Sequence, residues 1–368
     1  MNPFISQKFK FYSFISMVLL VFVHGYNLQN GYLQPFTVVE ERMTVTSFTE
    51  YFLANGLFRF RIPMLFIISG YLFALHDAKP HGERMKKRLR TLGLPYLIWS
   101  AVALVITYIW QQFPVTALAV QHAQIDQLGD NRPYSQIGIG GIVLRWILAP
   151  TAFQLWFIRS LLFYNALYPL LLKAVLKVPK IWFAVVIFLW VTTFPIPLFE
   201  GEGILFFTLG IYIQKLNFNI EKAPRWLSVK IWTPVFIFTA ALKSWLAFQF
   251  GWTLVSFISL SLLHKLCVFG GLISIWYGCD AAVKFFMNRK WFVWLSAFAF
   301  IIYALHVPLV NYCTQLVYSY GKELPNLRLI TFLVLPVLIS IICVLFGAAI
   351  RQLFPKIYGV ITGGRGLA

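Results

Sequence analysis

Three histidines and four basic residues stand in parts of this chain where charge is costly. His24 lies near the end of the apolar run FYSFISMVLLVFVHGYN, residues 11–27, which holds no other acid or base. Arg59 and Arg61 stand at the head of a second apolar run, LFRFRIPMLFIISGYLFALH. Arg159 lies two helical turns into a third, which begins QLWFIRSLL, and His264 and Lys265 lie one turn into a later one. His306 follows Lys290 by sixteen residues in WFVWLSAFAFIIYALHVPLVNY, about 24 Å along a helix. Imidazole, with its near-neutral pKa, can take and return a proton. Guanidinium and ammonium groups can hold an anion or a developing oxyanion. In apolar surroundings such groups are functional candidates by default. The plain alternatives are a histidine hydrogen-bonded to a neighbouring helix and, for at least one of Arg59 and Arg61, snorkelling to an interface.

The elements that must position these residues are membrane spans. The 368 residues are 60% hydrophobic and 12% charged, with a mean hydropathy of +0.75. The charged share is about half that of a soluble domain. Ten apolar runs follow one another, at 11–27, 56–76, 92–111, 153–173, 181–197, 203–216, 229–248, 260–279, 290–316 and 329–350. The first would reach about 26 Å as a helix, close to the thickness of bilayer hydrocarbon. The expectation is an all-α polytopic membrane protein of one domain, residues 1–368, with about ten transmembrane helices. No small-residue cleavage site follows the first run, so it reads as an uncleaved anchor.

The net charge of +19 does not point to nucleic acid. With the N-terminus inside, nearly all of the excess falls in segments on one side of the membrane. This positive-inside pattern puts both termini in the cytoplasm. Its densest part is ERMKKRLRTLGLPYLIWS, where Lys86, Lys87, Arg88 and Arg90 mark either the topology signal alone or a landing site for a phosphorylated ligand. The four cysteines read as small core residues, and no metal-ligand spacing, P-loop or dinucleotide fingerprint is present.

By depth, His24, Arg159, His264, Lys265 and His306, with Arg59 or Arg61, all fall in the outer half of the membrane. Arg59 and Arg61 point about 200° apart in a regular helix, so both face one pocket only if the turn before Pro63 is irregular. The reading is a polar cavity opening outward, opposite a cationic patch on the inner face. The long loop 112–152 is either a substrate-binding cap or loosely ordered. In it, His122 and Asp126 are spaced His-x3-Asp and carry no recognised signal. Ser69 and Gly70 are a small pair that permits close helix approach. The tail GVITGGRGLA reads as flexible.

Four stretches, taken in this order, resemble the membrane acyltransferase-3 family, which O-acylates surface carbohydrates: FYSFISMVLLVFVHGYN, RIPMLFIISGYLF, KKRLRTLGLPYLIWS and LWFIRSLL, with IIYALHVPL as a weaker addition. The resemblance implies transfer of an acyl group, most simply acetyl, from cytosolic acetyl-CoA to a hydroxyl of a glycan or lipid-linked sugar, at a bacterial inner membrane. It makes His24 the catalytic residue, as a general base or as a transient acyl carrier, with Arg159 and Arg61 stabilising the oxyanion. It also puts the CoA phosphates on Lys86, Lys87, Arg88 and Arg90, and the acceptor near Arg59, His264, Lys265 and His306. No metal is implied. The chain departs from the family at Ser13, where members often carry an arginine; Lys10, one turn earlier, is a candidate substitute. Glu50, Glu200 and Glu202 are the outer-side carboxylates available to orient His24. The alternatives are a carrier or flippase for an anionic or lipid-linked glycan, using the same cavity without chemistry, and a polysaccharide polymerase or ligase.

Overall fold

The computed structural model describes residues 2–28, 33–130, 132–194, 201–321 and 326–367. Among them the chain is almost wholly helical, and every predicted span contains a helix. These are α1 (Pro3–Gly25), α2 (Arg61–Leu75), α3 (Leu94–Trp110), α4 (Trp156–Ala166), α5 (Pro179–Thr192), α6 (Gly201–Lys215), α7 (Val229–Gln249), α8 (Leu254–Gly278), α9 (Ala299–Tyr320) and α10 (Leu327–Leu353).

Seven helical segments among the described residues are long and apolar enough to cross a bilayer. An eighth is the pair formed by 153–166 and Tyr168–Lys177, which bends by 68°. Helices α5 and α6 fall short, at 14 and 15 residues. The expected count of ten is therefore seven to eight by length and composition. Residues 195–200, which include Glu200 and the end of the fifth predicted span, lie outside the described residues.

Helix α1 begins eight residues before the expected start. Asn2 caps it, its side chain accepting from the Phe4 N–H at 2.9 Å, and Pro3 sits in the first turn, where no N–H is missed. This helix packs against α2, α9 and α10. Lys8 in its second turn is fully buried and paired with Asp280 at 2.6 Å, while Lys10 is exposed.

The small pair in α2 does what its size allows. Gly70 meets α6 so closely that a Cβ would stand 2.0 Å from the Phe207 carbonyl oxygen. Gly210 of α6 meets the Ile67 carbonyl oxygen in the same way, at 2.2 Å. These two glycines let the short α6 lie against α2 backbone to backbone.

Candidate active site

The backbone before α2 is irregular where the two arginines required it. Residues Tyr51–Gly56 wind as a π-helix and Leu57–Phe60 as a 3-10 turn before the regular helix starts at Arg61. The 3-10 turn still leaves Arg59 and Arg61 on different sides of the chain. Arg61 is buried and its Nη1 donates to the Phe58 carbonyl oxygen at 2.8 Å. Arg59 donates to the side-chain oxygen of Asn55. Both guanidiniums lie near enough to His24 for their charge to act on it.

His24 and His306 meet. Their rings stack at 12° with centroids 5.2 Å apart, and His24 Nδ1 is 3.0 Å from His306 Nε2. Phe153 packs edge-on against His24 at 4.8 Å. His306 Nδ1 is 2.8 Å from the carbonyl oxygen of Ile302, one turn back. A carbonyl only accepts, so His306 carries its proton on Nδ1 and offers the lone pair of Nε2. His24 Nδ1–H then donates to that lone pair, and His24 Nε2 is left as the basic nitrogen. The orienting partner is thus a second imidazole rather than a carboxylate. Glu50 instead accepts from Arg328 at 2.6 Å and 2.8 Å, and Glu202 accepts from Trp190 at 3.3 Å.

The second imidazole is held in place by a break in α9. Val307 has non-helical angles and Pro308 has no N–H, so carbonyls of the preceding turn lose their helical donors. The Gln154 amide caps them, with Nε2 at 3.3, 3.2 and 3.4 Å from the carbonyl oxygens of Tyr303, Ala304 and Val307. Tyr303 returns a bond from its hydroxyl to the Gln154 carbonyl at 2.7 Å. No periodicity in the sequence marks Gln154 for this task.

His24 opens on a cavity of about 670 Å³ whose polar walls include Asn27, Gln34, Gln124, Asp126, Gln127 and Gln315. The described residues of the loop 112–152 are folded, and its turn at 123–127 lines this cavity. Arg145 is buried and pairs with Asp126 at 2.6 Å and Asp130 at 3.5 Å. The hydrogen bond from Arg132 holds the Asp130 carboxyl down at about 2, so it stays an anion for this network. Asp126 thereby gains a structural role, whereas His122 is exposed. Of the two expectations for this loop, loose order does not hold for its described residues, which are folded onto the cavity.

A second cavity, of about 270 Å³, lies toward the start of α1 and is lined by Ser13, Met17, Ser69, Arg88 and Arg365 among others. Ser13 and His24 are eleven residues apart on one face of α1, about 16 Å. Between the two cavities stands an aromatic partition. Phe66 is fully buried and packs on Phe157 at 4.7 Å and Trp156 at 6.1 Å. Trp156 lines the upper cavity and Phe157 the lower.

The remaining candidates are dispersed. Arg159 lines neither cavity; its guanidinium donates to the Leu148 carbonyl. Of the basic connection, Arg88 reaches the lower cavity, and Lys86, Lys87 and Arg90 are exposed. His264 and Lys265 are buried in a separate cationic cluster, where His264 Nδ1 is 3.4 Å from Nζ of Lys243. Lys243 is fully buried and donates to the Asn55 carbonyl. Arg59 and Arg61 lie between this cluster and His24, near enough to both for their charge to be felt.

The chain is 26% identical over 326 residues to the succinoglycan biosynthesis protein ExoH of Rhizobium meliloti (strain 1021), covering 85% of this chain and 81% of that one. No solved structure matches it. The acyltransferase domain of the acyltransferase-3 type matches residues 13–346, from the lower cavity's Ser13 through both histidines to α10, and the chain belongs to that family.

Proposed function

We propose that this protein is an O-acyltransferase that moves an acyl group, acetyl in the simplest case, from acyl-CoA to a hydroxyl of a cell-surface or periplasmic glycan, free or lipid-linked. The donor enters the lower cavity from the cytoplasm and the acceptor enters the upper cavity from outside, across a bacterial inner membrane. The observation that carries this reading is His24, backed by His306, opening on a cavity walled in part by amides. Side-chain amides donate and accept at once, which suits the alternating demands of sugar hydroxyls. That a relative is named for succinoglycan biosynthesis supports a polysaccharide acceptor.

The acceptor hydroxyl gives its proton to His24 Nε2 while its oxygen forms a bond to the thioester carbonyl carbon. His306 Nε2, accepting from His24 Nδ1–H, stabilises the imidazolium so formed. Arg61, buried and near enough to His24 for its charge to act there, is assigned to face the oxyanion in place of Arg159. The intermediate collapses by breaking the C–S bond, and the imidazolium proton goes to the departing thiolate. Donor and acceptor meet only if the acyl arm passes the partition at Phe66, Trp156 and Phe157.

The test is to give purified protein labelled acetyl-CoA and isolated glycan. Label enters the glycan, and His24→Ala lowers the rate by about 10²- to 10⁴-fold. Undiminished labelling by His24→Ala overturns the assignment of the base. Movement of unmodified glycan across a vesicle membrane, with no label transferred, identifies a carrier instead.

A further inference from the structure

The C-terminal tail, expected to be loose, is folded into the bundle. The helix Pro355–Thr362 ends at Gly363, whose φ of +61° suits glycine. A Cβ on Gly363 would stand 2.2 Å from the Thr91 carbonyl oxygen, and one on Gly366 (φ +72°) 2.2 Å from that of Ala297. The Gly-Gly-Arg-Gly turn is therefore shaped to press backbone against backbone. Between these contacts it carries Arg365 inward. The Nη1 of Arg365 donates to the carbonyl oxygens of Thr91 at 2.9 Å and Thr362 at 2.8 Å, and the guanidinium lies over the Phe300 ring at 4.8 Å.

Two carbonyls on one nitrogen fix the fork and leave Nε and Nη2 without a protein partner among the described residues. Arg88 arrives at the same cavity from the other direction, at the end of the helix His81–Arg88. Among the described residues neither arginine has a carboxylate within ion-pair distance. Burial, and then the charge of Arg88, bring Arg365 down to about 10. Two cations that share a recess with no anion between them are costly until an anion joins them. Paired guanidiniums match the several oxygens of a phosphate ester. The cavity they enter continues to Ser13, one α1 face and about 16 Å from His24, a span that an extended pantetheine arm bridges.

We propose that Arg365, delivered by the Gly363–Gly366 turn, completes with Arg88 a binding site for the phosphate groups of the acyl donor. The inference rests on the donor being a CoA thioester, as read above. It moves the phosphate contact from Lys86, Lys87 and Arg90 to a two-arginine clamp, half of which comes from the last residues described. The same phosphate chemistry is offered by an anionic lipid headgroup, so the test has an arm for each.

The full-length protein in neutral detergent is titrated with free CoA and, separately, with mixed micelles containing phosphatidylglycerol. Thermal unfolding checks that each variant is folded. The expected result is that Arg365→Gln and Arg88→Gln each weaken CoA by about tenfold or more, while Arg365→Lys weakens it less and phosphatidylglycerol binding is unmoved. Placing a guanidinium back into the same recess, as Ser13→Arg on Arg365→Gln, restores a substantial part of the loss. Unchanged CoA affinity in folded Arg365→Gln overturns the proposal, and so does a loss confined to phosphatidylglycerol. Full acyl transfer by Arg365→Gln at an unchanged KM for acyl-CoA overturns this site and leaves the proposed function standing. CoA binding that depends on Arg365, with no acyl transfer to any glycan by the wild type, overturns the proposed function and leaves the site standing.

Discussion

Under the proposed function the two imidazoles divide one task, and substitution at His306 separates the parts. His306 is a positioning residue: its Nε2 receives the His24 Nδ1 proton while its own Nδ1–H is tied to Ile302. His306→Leu removes the acceptor and is expected to lower kcat by about 10- to 100-fold with little change in KM, since only the proton-transfer step loses support. His306→Gln keeps an acceptor oxygen near Nδ1 and is expected to recover part of that loss, measured as kcat with saturating acceptor. Equal kcat for the Leu and Gln variants would show that shape, not the hydrogen bond, is what matters at 306. Counting residues along helices puts both histidines in the same half of the membrane, but that count does not pair them; the contact comes from the packing of α1 on α9. Height says nothing about rotation around the helix axis, and Arg159 turns to the Leu148 carbonyl rather than to either cavity. Arg365 and Gln154 act through a turn and a helix break, and neither leaves a periodic trace.

Among the elements, the cap over the upper cavity depends on one buried guanidinium. Arg145 ties the end of its own short helix, Ile139–Ile147, to the turn at Asp126–Asp130. The cap is sewn to α3 as well, through the Tyr96 hydroxyl on the Ile147 carbonyl at 2.7 Å and Ser100 on that of Trp146 at 2.5 Å. Arg145→Gln should therefore loosen the turn that carries Gln124, Asp126 and Gln127 without unfolding the bundle. The expected outcome is a several-fold rise in KM for the glycan, with KM for acyl-CoA and the thermal midpoint close to wild type. A change in the donor KM alone would contradict the assignment of this loop to the acceptor. The sequence left two fates open for the loop because proline and glutamine content reports irregularity, while the ion pair that orders it spans nineteen positions.

For the molecule as a whole, composition and the recurrence of apolar runs made the fold class legible before any contact was known. The count of crossings was less so, because apolar runs of 14 to 17 residues suit a short packed helix as well as a span. What closes the bundle at the His24 end is Arg328 of α10, which holds Glu41 at 2.7 Å and the fully buried Glu50 at 2.6 Å. Arg328→Gln leaves that carboxylate buried without its partner and is expected to cost about 3–5 kcal/mol, seen as a lowered unfolding midpoint. Adding Glu50→Gln should return much of the loss. The aromatic layer of Phe66, Trp156 and Phe157 has a consequence at this scale too. It lies between the cavity at His24 and the one at Ser13, so under the proposed function it is the layer that an acyl arm has to cross. On that reading a group could be handed between compartments through aromatic packing rather than along an open, water-filled passage.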